Sequence, residues 1–327
     1  MDSGTHLAFG LGLAGLAMTD PVLASDPNGP FAALVGTILG SQAPDFDGLL
    51  RFKSNADYIR HHRGLSHSLP FVAAWTAAIA LLDALLFPTI PWWHLALWIL
   101  LAVAVHVLAD MFNSYGTMAL WPFSRKRIRW NVIHIFDPVI LALHLAAIVL
   151  WASGQADPRA LFPVMYGLLI LYYGWRTWTH RRVTRLVPRQ DAGKKPGDRY
   201  TVLPAMPLNH WNVIRESEDG TYAVGEWDRG RLAWIDVLKC DRHPAAEASK
   251  RNKDVQALLN LTPFPCAQVK EKDWGYEVRW ADIRYHYRRQ YPFVAVVLMD
   301  ADYKPLQSCV GWLSDERLER RLKMNSY

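Results

Sequence analysis

Cysteine is scarce in this 327-residue chain: Cys240, Cys266 and Cys309 are its three examples. Their odd number and the absence of a CxxC pair argue against a disulfide framework or a zinc ribbon, and for a reducing compartment. The amino terminus lacks a basic stretch leading to a small-residue cleavage site, so no signal peptide is predicted. Charge is sparse through the first 178 residues, where long apolar runs dominate, whereas residues 180–327 read as an ordinary polar sequence. The 36 Lys and Arg exceed the 30 Asp and Glu, for a net charge of +6. In a chain with long apolar runs such an excess usually marks the cytoplasmic face and gives no reason to expect a nucleic-acid partner.

Apolar runs occupy residues 5–18, 30–43, 71–87, 91–111, 136–152 and 161–178. A spanning helix needs roughly 20 apolar residues. The last four runs meet or approach that length, while the first two are shorter and rich in Gly and Ala. Arg51, Lys53, Arg60 and Arg63 separate runs two and three; Arg125, Lys126, Arg127 and Arg129 separate runs four and five; Arg176, Arg181, Arg182 and Arg185 end the sixth. Arg159 is the one basic residue in the remaining connections. Alternating the runs across a bilayer collects every basic loop on one side, which the positive-inside rule makes cytoplasmic. The predicted fold is an α-helical polytopic membrane domain with about six hydrophobic helices, four of them clear spans, followed by a small α+β or mostly β soluble domain in the cytoplasm. The expected boundaries are 1–180 for the membrane domain, 181–200 for a basic linker and 201–327 for the soluble domain. Within the last, strands are expected at 210–217, 220–228, 231–239, 264–270, 275–289 and 291–299, with helix at 244–260 and 314–323.

Five polar clusters interrupt the apolar half: Thr5–His6, the PDFD stretch with Asp45 and Asp47, the HHRGLSHS stretch with His61, His62, Arg63 and His67, the HVLADMFNSYGT stretch with His106, Asp110, Asn113 and Thr117, and Asp137 before Pro138. In the alternating topology all five fall at cytoplasmic helix ends. His106 and Asp110 stand at i and i+4, so a helix puts imidazole and carboxylate on one face. Both ligate zinc or manganese well, and an ionisable residue inside a span is costly enough to point to function. The competing reading is a buried His–Asp hydrogen bond that locks helix packing. Arg63 offers a forked cation to a phosphate; alternatively it belongs to a basic loop on anionic headgroups. Gly64 permits a turn, and Pro70 suits the first turn of the next helix behind Ser68 or Leu69. Asp137 fits a helix N-cap. His94, His134 and His144 read as packing or interfacial residues, and Asp83 is given no role.

The order His6, PDFD, HHRGLSHS, HVLADMFNSYGT, FDP resembles the YdjM-type family of bacterial membrane-bound metal-dependent hydrolases over roughly residues 1–178, and the carboxyl half is similar to its longer YfhP-like members. More distantly the scheme is similar to the zinc phospholipase C and nuclease P1 group, onto which His6, Asp45 or Asp47, one of His61, His62 and His67, then His106 and Asp110 map. These ligands exceed what one zinc requires. The expectation is therefore one or two divalent ions, zinc with manganese as the alternative, held by His6, Asp45, His61, His62, His67, His106 and Asp110. Arg63, Asp47 and Asn113 are the expected catalytic residues. The reaction would be hydrolysis of a lipid or lipid-like phosphoester at the cytoplasmic face by a metal-activated water. Membrane lipids, that substrate and a protein bound by the soluble domain are the expected partners. The alternative is a non-enzymatic membrane sensor or scaffold with a structural metal site and a cytoplasmic signalling domain.

Overall fold

Prolines set where many of the helices begin. Pro21, Pro30, Pro70 and Pro138 occupy first-turn positions, where the missing N–H costs nothing. Asp20 and Asp137 cap two of these helices by accepting from Val22 N and Val139 N. The computed structural model describes residues 1–286, 290–313 and 322. The helices are α1 (Ser3–Leu16), α2 (Pro21–Ser25), α3 (Gly29–Gln42), α4 (Asn55–His61), α5 (Leu69–Leu86), α6 (Trp92–Met111), α7 (Pro138–Ala152), α8 (Pro158–Gln190), α9 (Pro244–Ser249) and α10 (Lys253–Leu261). The strands are β1 (Arg199–Pro204), β2 (His210–Glu216), β3 (Thr221–Asp228), β4 (Arg231–Lys239), β5 (Pro265–Lys272), β6 (Gly275–Asp282), β7 (Phe293–Met299) and β8 (Pro305–Trp312). The chain divides into two compact units, Met1–Asp47 with His62–Arg181, and Gly48–His61 with Arg182–Tyr327.

The first unit is helical. α3 packs on α1, α5 and α6, and α1 also packs on α7. Small residues allow close approach: a Cβ added at Gly40 of α3 would stand 3.1 Å from Ala102 Cβ of α6, the kind of contact that helices use inside a bilayer. Leu23, Ala32, Leu95, Ile99 and Val103 form the buried centre of this packing. Two helices, α5 with 18 residues and α6 with 20, are long and apolar enough to cross a membrane, and Leu81, Leu85 and Leu86 of α5 remain exposed. Four spans are expected from the sequence. The run at 136–152 instead yields the shorter helix α7, because the Asp137 cap starts it at Pro138. The sixth run lies within the 33-residue α8, which continues through Arg176–Arg189 to Gln190.

The second unit holds two four-stranded antiparallel sheets, ordered β1-β2-β3-β4 and β5-β6-β7-β8. Every residue of β7 is buried, as a continuous apolar strand requires. α4 packs on α10 and β8, with Asn55 Nδ2 donating to Val310 O at 3.3 Å. β1 and β8 are additions to the predicted strands. Both lie at sheet edges, as β4 and β5 do, and both start from a proline- or charge-bearing stretch with weak alternation of polar and apolar residues. The helix expected at 314–323 lies outside the described residues apart from Leu322, and so does the end of the strand expected at 275–289.

The cysteine expectation is overturned. Cys240, just past β4, and Cys266 in β5 form a disulfide across a sequence separation of 26, and Cys309 is not part of it. Motif spacing misses such a pair, because the fold rather than the local chain brings the two Cα atoms to 5.1 Å. Cysteine usage therefore gives no argument for a reducing compartment.

Candidate metal centre

Five chain segments of the helical unit converge at one place. His6 arrives on the first turn of α1, which Asp2 caps by accepting from Thr5 N at 3.0 Å. Asp45 and Asp47 lie in a 3₁₀ segment, Ala43–Phe52, that continues from the end of α3. His62 and Arg63 follow α4. His67 ends the short 3₁₀ turn Leu65–His67, and Ser68 opens α5, its hydroxyl donating back to Leu65 O at 2.7 Å. His106 and Asp110 occupy one face of α6, both fully buried.

The hydrogen bonds fix how the imidazoles are protonated. His106 Nδ1 donates to the Ser41 carbonyl at 2.6 Å, so its Nε2 presents a lone pair. Ser66 Oγ donates to Asp47 Oδ2 at 2.8 Å and therefore accepts from His67 Nδ1 at 2.9 Å. His67 Nε2 then also presents a lone pair. These two nitrogens stand 3.2 Å apart. Asp45 Oδ1 is 3.6 Å from His67 Nε2 and 3.7 Å from His106 Nε2, and Asp110 Oδ2 is 3.3 Å and 3.7 Å from the same two atoms. Four acceptors thus face one another in a buried space, and Asp45 Oδ1 and Asp110 Oδ2 accept no well-aligned hydrogen bond among the described residues. Such an arrangement repels itself unless positive charge lies among the groups; Arg63 Nε, 2.9 Å from Asp110 Oδ2, supplies some of it, and a bound cation facing Asp45, His67 and His106 would supply the rest. Asp45, His67, His106 and Asp110 each offer one ligand atom within 4.8 Å of the others, and Asp45, Asp47 and His62 do the same, so Asp45 belongs to both groups.

Electrostatics agree. Burial pushes His67 well below the ordinary imidazole range, with His106 adding to the effect, so it stays neutral and able to ligate. His62 is lowered by burial, against the opposing hydrogen bond from Nδ1 to Asp47 Oδ1 at 2.8 Å.

The remaining expected residues separate clearly. His6 is buried with its ring stacked on His106, centroids 3.6 Å apart, and its Nε2 lies 3.3 Å from Asp110 Oδ1. The amino group of Met1 sits against Asp110 Oδ1 and 3.0 Å from His6 Nε2. His61 belongs to the other unit, at the end of α4; it is exposed, its Nδ1 2.8 Å from Asp57 O, and outside both ligand groups. Arg63 departs from its expected role. Its Nε lies 2.9 Å from Asp110 Oδ2, Nη1 donates to Asn113 Oδ1 at 3.1 Å and Nη2 to Met1 O at 2.8 Å. A guanidinium 2% exposed and engaged on all three nitrogens braces the centre and does not reach out to a phosphate. Arg63, not Gly64, also carries the left-handed backbone of this turn, at φ +57°. Asn113 Nδ2 donates to Asp110 Oδ1 at 3.2 Å while its Oδ1 accepts from Tyr115 N and Gly116 N. Asp137 caps α7, accepts from Tyr172 OH at 2.7 Å and belongs to neither ligand group. Ser66 and the Ser41 carbonyl also contribute, and residue type alone singles out neither. Ser66 lies inside the HHRGLSHS stretch, which is the one signal the sequence offers for it.

Residues 1–183 match the family model described as YdjM inner membrane protein. The chain belongs to the YdjM family. Residues 244–322 match the YfhP C-terminal alpha/beta plait domain. The Bacillus subtilis (strain 168) protein YfhP is 37% identical over 332 residues, covering 100% of each chain. No solved structure matches. The YdjM match covers every residue of the two ligand groups, so this family's membrane region and the candidate metal centre are one stretch of chain.

Proposed function

We propose that this YdjM-family protein is a membrane-bound metal-dependent hydrolase that cleaves a phosphoester of a lipid or lipid-like substrate at the cytoplasmic face. The observation that supports it most is the shared carboxylate: Asp45 joins a buried group with His67, His106 and Asp110 to a more accessible group with Asp47 and His62. The donor set suits divalent zinc, with imidazole and carboxylate ligands, and manganese is the alternative. Asp45, His67, His106 and Asp110 would hold one divalent ion, and Asp45, Asp47 and His62 could hold a second; when bound, such an ion would supply Lewis acidity and lower the pKa of water. The chain's own groups do the rest. Ser41 O and Ser66 Oγ hold the imidazoles in the ligating tautomer. Arg63 and Asn113 hold Asp110, and Asp47 positions His62. Six hydrophobic helices, with α5 and α6 as the clearest spans, would set this centre at headgroup depth, where a lipid phosphodiester is the nearest phosphorus. The carboxyl-terminal sheets would lie in the cytoplasm and bind a protein partner or control access.

The test is a phosphodiesterase and phosphomonoesterase screen on lipid vesicles, using the full chain loaded with zinc or manganese, beside His106→Ala and Asp110→Ala. Hydrolysis by wild type and a loss of roughly 100-fold or more in both variants is expected. Metal retention without hydrolysis of any lipid phosphoester would favour the sensor reading, in which the metal is structural and leaves no position for water.

A further inference from the structure

Asp83 lies on α5, 1% exposed, inside one of the two helices long and apolar enough to span a membrane. Neither of its carboxylate oxygens has a hydrogen-bond partner, and no cation pairs with it among the described residues. It is packed into the place where three helices meet. Its Oδ2 stands 2.5 Å from where a Cβ on Gly36 of α3 would be, and Ile99 of α6 fills the same space from the other side. Gly36 is the residue that makes room for it.

A bare carboxylate in this position would meet only hydrocarbon and peptide groups already bonded within their helices, at a cost of several kcal/mol. It must hold a positive charge of its own. A metal ion needs several oxygen ligands, and the site offers none: Thr37, next to Gly36, spends its hydroxyl on Ala33 O at 2.7 Å. The space between Gly36 and Ile99 leaves no room for a hydrated ion. Among the described residues of the helices packed against it, no titratable group faces it. α3 contains none, α5 contains no other, and those of α6 are His94, His106 and Asp110. His94 and His106 lie about 7 and 10 Å along α6 from Ile99 at 1.5 Å per residue. His94 is already paired with Asp20 at 2.6 Å. His67, beyond the other end of α5, is about 24 Å along the chain by the same measure.

We propose that Asp83 is a proton-binding site within the membrane span, its carboxyl carrying a proton in the folded protein. It is separate from the metal centre yet borders the two helices that serve it, since α3 leads to the Ser41 carbonyl and α6 carries His106 and Asp110.

The experiment is carbodiimide labelling of the full chain in membranes, followed by peptide mapping. An apolar carbodiimide, such as dicyclohexylcarbodiimide, takes the carboxyl proton on one nitrogen while a carboxylate oxygen adds to its central carbon. Migration of the acyl group to nitrogen then leaves a stable N-acylurea, with nothing released. Labelling of the α5 peptide at Asp83, absent with a water-soluble carbodiimide, is expected. Equal labelling by the water-soluble reagent would overturn the proposal. Infrared difference spectra between wild type and Asp83→Asn provide a readout that needs no reagent access. Loss of a protonated-carboxyl C=O band is expected, and loss of carboxylate bands instead would overturn it.

Discussion

Two histidines of the candidate centre are oriented through the nitrogens that face away from it. His106 gives its Nδ1 proton to a backbone carbonyl and His67 gives its own to Ser66. Ser66→Ala removes both the acceptor for His67 and a donor to Asp47, so metal affinity should fall roughly 10–100-fold with the ligands intact. Competition against a fluorescent chelator measures this, and an unchanged affinity would contradict the assigned tautomer. Much of the residue set is legible in the sequence, because a His and an Asp one turn apart stand out in an apolar helix, where burying them costs free energy. Which of two adjacent histidines turns inward is not legible. His61 closes α4 and follows that helix's exposed face, while His62 falls where the chain turns to meet Asp47. The inward placement of Arg63 is equally hidden, since it depends on Asp110, Asn113 and Met1 O, all distant in sequence.

The end of α8 shows how an element is tied into the sheet unit. Asp191 follows Gln190 and accepts from Tyr200 OH at 2.7 Å, Arg215 Nη1 at 2.8 Å, Gly193 N at 3.0 Å and Trp234 Nε1 at 3.2 Å. One buried carboxylate thus joins β1, β2 and β4. Burial alone would raise its pKa, but these donors outweigh burial and hold it below the ordinary carboxylate value. A carboxyl with a lowered folded-state pKa stabilises the fold above its unfolded value of about 4, and that contribution disappears as pH falls through the folded value. Asp191→Asn should therefore destabilise this unit by about 2–4 kcal/mol at neutral pH. The gap from wild type should narrow below about pH 4. Denaturation followed by tryptophan fluorescence checks this, and a gap independent of pH would contradict it. From sequence, central strands such as Phe293–Met299 are legible by their unbroken apolar content, whereas β1 and β8 are not, because each mixes polar residues and a proline into a short run without clean alternation.

At the scale of the whole chain, an apolar helical region carrying the candidate metal centre is followed by two sheets locked by one covalent bridge. Denaturation without reductant should leave one alkylatable thiol, Cys309, and prior reduction should leave three; three in both conditions would remove the bridge. The change from apolar to polar composition near residue 178 is legible because bilayer and water select opposite residue types. The pairing of Cys240 with Cys266 is not, because it depends on the two sheets meeting. The account rests most heavily on four clustered acceptors that a bound cation would reconcile. Elemental analysis of the purified chain, reloaded with zinc and then dialysed, addresses that directly. Bound metal in wild type and His61→Ala, with loss of at least one ion in His106→Ala and Asp110→Ala, is the predicted result. No retained metal in wild type, or equal retention in all four proteins, would contradict it.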